Sequence, residues 1–134
     1  MTVDSKLESP ILEKKSPFID ERGTIQELVS FPEAKMGSAV MITSKKGSVR
    51  ANHYHKKDWH YCYVVSGAID YYEREIGSDE APTITHIKAG EVFYTPPMLE
   101  HAMVFTEDTV FLTLGGGTRQ SEDYEDDLVR VKLV

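Results

Sequence analysis

Residues 47–67 read GSVRANHYHKKDWHYCYVVSG, and this stretch decides the fold of the chain. Its aromatic and β-branched residues favour strands, and the polar run at residues 56–58 predicts a short turn between two of them. Alternate side chains of a strand share one face, so His53 and His55 are neighbours. His60 opens the second strand. If the two strands pair as a hairpin, three imidazoles meet at one point.

A fourth histidine, His101, follows Pro96-Pro97 and can reach the same point from a later hairpin. Four neutral imidazoles that converge form a typical ligand set for a transition metal. We therefore expect one divalent transition-metal ion, zinc first, with iron, manganese or nickel as alternatives. The predicted ligands are His53, His55, His60 and His101. His86 lies outside this spacing and is expected to be structural or surface-exposed.

The rest of the chain consists of short β-rich segments separated by glycine, proline and charged turns. No segment of ten or more residues has a 3.6-residue apolar period, and about ten short strands indicate an antiparallel sandwich or barrel. Residues 1–9 are polar and unpatterned, which predicts a disordered tail. Residues 10–134 have the length of one domain with a single core.

Composition and charge exclude several function classes. The formal net charge of −7 opposes a nucleic-acid groove, which needs a basic surface. The apolar runs have only strand length, so we expect no membrane partner. The N-terminal residues lack the apolar core of a signal peptide, and one cysteine, Cys62, fits a reducing compartment. We therefore expect a cytoplasmic protein.

Two spaced motifs resemble those of the cupin superfamily. The first is a glycine, His-x-His, a third ligand and a second glycine, with histidine at the position where glutamate is usual. The second is a glycine, a proline and a histidine. The matching residues are Gly47, His53, His55, His60 and Gly67, and then Gly90, Pro96 and His101. The resemblance implies an all-β fold with a single antiparallel cupin (jelly-roll) β-barrel.

Among cupins, the chain resembles the dTDP-4-keto-6-deoxyhexose 3,4-ketoisomerases, including the WxcM-like proteins. The matching stretches are residues 20–23, 50–56 and 97–101. Residues 51–55 also resemble the metal-binding cupin module of a capsular nucleotide-sugar reductase. These resemblances imply an isomerase or epimerase of a nucleotide-linked keto-sugar that acts through an enediolate. The ketoisomerases are thought to work without metal, so metal content separates two mechanisms.

The expected catalytic residues are His53, His55 and Tyr72. Without a metal, the two histidines would be the base and the acid, because imidazole titrates near neutral pH. Tyr71 and Tyr72 are adjacent on a strand, so one of them must face inward, and we assign Tyr72 to the site.

For substrate binding, Arg50 is the first candidate, since it lies three residues before His53 and a guanidinium can grip a phosphate with two hydrogen bonds. Lys56 and Arg22 are further candidates.

Two other functions stay open at this point. With iron(II), a histidine-rich cupin can be a dioxygenase. It can also be a non-catalytic module that binds a sugar or a metal. In each case the partner is a small molecule. We also expect a homodimer, because unpaired strand edges invite association, with the N-terminal strands or the face of Trp59, Tyr61 and Tyr63 as candidate contacts.

Overall fold

The computed structural model describes residues 7–31, 35–117 and 125–134, and these residues form eleven β-strands. The strands are β1 (Phe18–Asp20), β2 (Gly23–Ile25), β3 (Ser38–Ser44), β4 (Val49–His55), β5 (His60–Ser66), β6 (Ala68–Glu75), β7 (Thr83–Lys88), β8 (Val92–Thr95), β9 (Leu99–Phe105), β10 (Thr109–Gly115) and β11 (Leu128–Arg130). Helical backbone among them is confined to residues 125–127.

The strands form two main sheets and one small hairpin. The first sheet has the order β3-β10-β5-β8 and the second the order β11-β4-β9-β6-β7, while β1 and β2 pair with each other. Every pair is antiparallel. Neighbours far apart in sequence, such as β4 and β9, produce the crossovers of a jelly roll. The predicted all-β, antiparallel jelly-roll fold is confirmed.

The two main sheets pack face to face around one core. Tyr71 of the five-stranded sheet packs on Phe93 of the four-stranded sheet, with ring centroids 4.9 Å apart. Phe105 and Phe111 make a second contact between the sheets at 5.7 Å. Where the ladders are regular, inward side chains alternate with outward ones, as the period of a strand requires. The fully enclosed core consists of Cys62, Val64, Ile69, Tyr71, Ile87, Phe93, Phe105 and Phe111.

A β-bulge interrupts β4 just before the first site histidine. The ladder between β4 and β9 pairs Ala51 with Ala102 and then His53 with His101, which leaves Asn52 as an extra residue. Ala51 and Asn52 both have left-handed backbones, with φ values of 70° and 57°. The extra residue reverses the alternation of side chains along β4. Arg50 and His53, which are three residues apart on opposite sides of the bulge, therefore lie on the same face.

Residues before β1 extend the four-stranded sheet. Ile11 forms a β-bridge with Phe93, and Leu12 N donates to Val92 O at 2.8 Å. Of the predicted disordered tail, residues 1–6 lie outside the described residues. The described part of the chain contains no helix with the length and apolarity that a membrane crossing requires.

Candidate functional site

Three of the four predicted metal ligands converge. His53 and His55 come from β4 and His101 from β9, and each is at most 7% exposed. Each residue offers one ring nitrogen, and the three nitrogens all lie within 4.8 Å of one another. The register causes this directly, since His53 pairs with His101 across the ladder and His55 lies two residues further along the same face. We call these residues the three-histidine group.

Burial favours the neutral form of two of these histidines, His55 and His101. It lowers the pKa of His101 well below the usual value, and the neighbouring His53 lowers it further. Burial is also the main cause of the lowered pKa of His55. Nδ1 of His101 lies 3.1 Å from the Leu99 carbonyl oxygen, which can only accept, so Nδ1 carries the proton and Nε2 keeps its lone pair. Neutral imidazoles with oriented lone pairs are the form that binds metal.

His60, the predicted fourth ligand, lies beside this group and not in it. Its ring centroid is 4.7 Å from that of His55, but it has no ring nitrogen within 4.8 Å of all three other histidines. Its Nε2 atom lies 3.1 Å from Oδ2 of Asp58. The expected set of four ligands is therefore corrected to three, with His60 paired to a carboxylate at the edge of the site.

Two carboxylates that the sequence reading did not single out hold the histidines. Asp127 Oδ2 lies 3.1 Å from His55 Nδ1, and Asp58 pairs with His60. Burial opposes the ionisation of Asp58, but the hydrogen bond and charge of His60 and two backbone N–H groups outweigh it and lower its pKa to about 2. The position of Asp58, two residues before His60, could have indicated its role from the sequence. Asp127 had no such signal, because it is distant in sequence from His55.

The glycine triplet at residues 115–117 packs against the Asp58–His60 segment. A Cβ on Gly115 would lie 2.8 Å from the His60 ring, one on Gly116 would overlap the Trp59 indole, and one on Gly117 would lie 3.0 Å from the Asp58 carboxyl carbon. Gly117 N also donates to Asp58 Oδ1 at 2.7 Å. These residues form a close-packed wall of the site.

The histidines line a cavity of about 130 Å³ between the two sheets. Its lining residues are Ile42, Arg50, Ala51, His53, His55, His60, Cys62, Thr95, His101, Met103, Phe111 and Thr113. Arg50 is exposed at the mouth, where Nε donates to Ser44 Oγ and a terminal nitrogen donates to Thr43 O at 2.9 Å. These bonds use two of the five N–H donors of a guanidinium. The bulge at Asn52 explains why Arg50 shares the face of His53.

The structure does not bring the other predicted site residues to this cavity. Arg22 lies in the β1–β2 turn, 82% exposed, and its guanidinium is hydrogen-bonded to Asp20. Lys56 is an exposed residue of the turn after β4, and it is not among the described lining residues. Neither Arg22 nor Lys56, both predicted to bind substrate, lines the cavity.

The assignment of Tyr72 to the site is wrong. On β6 the buried positions are Ile69, Tyr71 and Glu73, so Tyr72 points to the opposite face. Tyr71 is the inward tyrosine: its hydroxyl lies 2.8 Å from Oγ1 of Thr95, a lining residue, and its ring centroid is 6.1 Å from that of His101. Alternation showed that one of two adjacent tyrosines faces inward, and the sequence reading chose the wrong one.

Comparison with known proteins supports the fold independently. CapF, the capsular polysaccharide assembling protein of Staphylococcus aureus, matches with 22% identity and a TM-score of 0.64 over 92% of this chain, which corresponds to 34% of CapF. The QdtA 3,4-ketoisomerase of Thermoanaerobacterium thermosaccharolyticum, in complex with TDP, matches with 22% identity and a TM-score of 0.68, covering 92% of this chain and 89% of QdtA. A 3,4-ketoisomerase of Helicobacter canadensis has 15% identity and a TM-score of 0.72, with 93% and 92% covered.

No curated protein sequence matches the chain closely enough to count as a relative. The chain spans about a third of CapF but nearly the whole of the two ketoisomerases. These structural likenesses agree with the cupin resemblance of the two histidine motifs. The sequence profile of the polysaccharide biosynthesis C-terminal domain matches residues 18–115, which is most of the chain. The protein therefore belongs to the polysaccharide biosynthesis C-terminal domain family.

Proposed function

We propose that this protein is an isomerase or epimerase of a nucleotide-linked keto-sugar. The observation that carries the proposal is a buried three-histidine group that lines a small cavity, with the exposed Arg50 in the same lining. Supporting it, structures of similar fold include QdtA with TDP-4-keto-6-deoxyglucose and a dTDP-4-dehydrorhamnose 3,5-epimerase of Bacillus anthracis with TDP. Both of those proteins have less than 25% identity to this chain.

The size of the cavity limits which part of the substrate it encloses. Pockets that bury a whole drug-sized ligand are typically about 300–1,000 Å³. At about 130 Å³, the space beside the histidines takes a sugar ring at most. The nucleotide would then lie across the mouth, where the Arg50 guanidinium can bind a diphosphate oxygen through its remaining N–H donors.

We further propose that His53, His55 and His101 hold one divalent metal ion, with zinc as the first choice and iron, manganese or nickel as alternatives. The donor set fits such an ion, because the three imidazoles are buried and mutually close, and burial lowers the pKa of His55 and His101. When bound, a divalent ion supplies Lewis acidity that polarises a carbonyl oxygen. The three histidines would fix the position of that oxygen relative to the rest of the cavity.

The proposed reaction moves protons only. A base removes the proton from the carbon next to the carbonyl, which leaves an enediolate. In the epimerisation an acid returns a proton to the opposite face of the same carbon. In the isomerisation the acid returns it to the former carbonyl carbon, and the hydroxyl proton of the neighbouring carbon passes to the former carbonyl oxygen. No atom is lost or gained. His60 is the described histidine placed for this step, since it lines the cavity outside the three-histidine group and is oriented by Asp58. In the metal-free alternative, His53 and His55 would carry the proton.

Hydrogen exchange tests the reaction directly. The protein is incubated in deuterated water with a panel of nucleotide-linked 4-keto-6-deoxy sugars, and the sugar protons are followed by NMR. We expect loss of the signal of the proton next to the carbonyl, followed by conversion to the isomer or epimer. If no sugar in the panel exchanges while oxygen is consumed in the presence of iron(II), the dioxygenase alternative replaces this proposal. Inactivity in both assays favours a binding module.

Elemental analysis of protein purified without added metal tests the ion separately. We expect about one equivalent, which His101→Ala should abolish. His86→Ala is the matched control, because His86 lies on the surface. Its side chain is 80% exposed, and its imidazole is hydrogen-bonded to Asp70. A wild-type protein that contains no metal but catalyses exchange would support the metal-free mechanism.

A further inference from the structure

Asp127 makes an unusual number of contacts with the turn between β4 and β5. Its Oδ2 atom lies 3.1 Å from His55 Nδ1 and accepts from Asp58 N at 3.2 Å, while Oδ1 accepts from Lys57 N at 2.8 Å. Its backbone oxygen accepts from Lys56 N at 2.9 Å. One residue therefore satisfies three successive backbone N–H groups of the turn together with one site histidine.

Asp127 contacts His55 directly and is connected to His60 through Asp58. The turn carries Asp58, whose carboxylate pairs with His60 and accepts from Trp59 N at 2.8 Å. By fixing the backbone of residues 56–58, Asp127 also fixes the place of Asp58 and, through it, the orientation of the His60 ring. The strand that follows Asp127, β11, pairs with β4 and anchors the carboxylate in this position.

We propose that Asp127 is the positioning residue of the site, and that it holds His55 in the tautomer that points its Nε2 lone pair into the cavity. A carboxylate can only accept a hydrogen bond, so the proton of His55 must be on Nδ1. Carboxylates that accept from a metal-binding histidine fix its ring and tautomer and raise its basicity. The inference rests on the proposed function in so far as the three-histidine group binds a metal.

The same atoms allow a competing interpretation. One ligand atom each of His55, Asp58 and Asp127 lies within 4.8 Å of the others, so they are themselves a candidate for a second ion. An ion there would have to compete with the hydrogen bonds that the two carboxylates already accept from His55, His60 and four backbone N–H groups. The two interpretations predict different stoichiometries, one equivalent against two.

The test compares Asp127→Asn with Asp126→Asn, which removes the same charge from an adjacent, exposed residue. Zinc affinity is measured by competition with a chromophoric chelator, and zinc stoichiometry by titration. We expect one equivalent in the wild type, and an affinity about 10- to 100-fold lower in Asp127→Asn. Asp126→Asn should stay within about twofold of the wild type. Equal affinities in the two variants, or two equivalents of which Asp127→Asn loses one, would overturn the positioning role.

A second measurement does not need the metal. Nitrogen-15 NMR of the metal-free protein reports which ring nitrogen of His55 carries the proton. We expect the Nδ1–H tautomer in the wild type and in Asp126→Asn, and a shift toward Nε2–H in Asp127→Asn. An unchanged tautomer in Asp127→Asn would contradict the inference. If the wild type binds no zinc but shows this tautomer shift, the metal proposal fails and the role of Asp127 stands.

Discussion

Glu73 lies directly opposite His101 in the β6–β9 ladder, so a buried carboxyl and a site histidine share the inner face of the five-stranded sheet. Glu73 is 3% exposed, and its Oε1 atom has no hydrogen-bond partner among the described residues. Burial raises its pKa from 4.5 to about 7. The folded protein therefore carries a group that is costly to ionise at neutral pH.

We expect Glu73→Gln to remove a pH-dependent loss of stability. The unfolded chain ionises Glu73 near pH 4.5 and the folded protein near pH 7, so the folded state binds more protons between these values. The contribution of Glu73 to the free energy of unfolding is therefore fully present below pH 4.5, and it is lost as the pH rises through about 7. The loss is at most about 3 kcal/mol. Urea unfolding at pH 5 and pH 8 measures it; the same pH dependence in Glu73→Gln would contradict the prediction.

Arg50 should be needed for nucleotide binding. Removal of one charge-assisted contact costs about 1.5–3 kcal/mol, so Arg50→Ala should weaken the binding of thymidine diphosphate by about 10- to 100-fold. Calorimetric titration of the variant measures this. Arg22→Ala is the control, because it removes the same charge from the exposed β1–β2 turn. Equal losses in both variants would indicate a general charge effect without a contact at Arg50.

The sequence predicted the parts of this molecule that depend on a period of two residues. The meeting of His53 with His55 on one face of β4 follows from alternation. Alternation does not tell which of two adjacent tyrosines faces inward, since that depends on the partner strand. For this reason the assignment of Tyr72 was wrong. The register that brings His101 opposite His53 was reached through motif spacing, because the strand pairing is not visible locally.

Other features depend on contacts between distant segments. The bulge at Asn52 requires left-handed backbones at two residues that are not glycine, and the sequence alone has no signal for it. Three consecutive glycines, such as residues 115–117, are compatible with a flexible loop or with close packing, so the wall that they form has no signal in the local sequence. Asp127 reaches His55 only through the pairing of β11 with β4. The carboxylate contacts of the site were therefore not predictable from local sequence.

Gly116→Ala should displace Trp59. A methyl group at Gly116 would overlap the indole, and such overpacking costs about 1–3 kcal/mol. Because the chain has one tryptophan, a shift in its fluorescence emission reports the displacement. Gly77→Ala is a useful control: its Cβ would meet nothing within 4 Å, so it should lose stability through its positive φ alone and leave the emission unchanged. Unaltered emission in Gly116→Ala would refute the packing argument.

We expect a homodimer formed through the β1–β2 hairpin. Phe18, Ile19 and Ile25 are 59%, 66% and 68% exposed there, which is a costly arrangement unless a second copy covers them. The face of Trp59 and Tyr61 is the weaker candidate, because Phe31 packs on both rings. Light scattering should give twice the 15.2 kDa of one chain.

The dimer prediction has a matched pair of variants. Ile19→Lys should shift the protein to monomers, since it places a charge in the proposed contact. Met98→Lys changes a side chain of similar exposure, 56%, elsewhere on the surface and should leave the dimer intact. A monomeric wild type at micromolar concentration, or dissociation by both variants, would exclude the hairpin interface.

Asn52 should be replaceable by glycine at lower cost than by alanine. Its Oδ1 atom accepts from Leu133 N at 3.0 Å and Val134 N at 3.1 Å, and its backbone oxygen accepts from Val131 N at 3.0 Å. Both variants lose the side-chain bonds, which contribute about 0.5–1.5 kcal/mol each. Asn52→Ala should lose about 1–2 kcal/mol more of unfolding free energy, because alanine disfavours the left-handed backbone, with φ of 57°, at this position.

The bulge also sets which face Arg50 occupies, so the two variants should differ in ligand binding. If alanine at position 52 drives the strand back to regular alternation, Arg50 turns away from the cavity and thymidine diphosphate binds as weakly as it does to Arg50→Ala. Asn52→Gly tolerates the left-handed backbone and should bind within a few-fold of the wild type. Urea unfolding and calorimetric titration of both proteins supply the comparison. Equal stability and equal affinity for the two variants would show that the backbone conformation at Asn52 does not control the placement of Arg50.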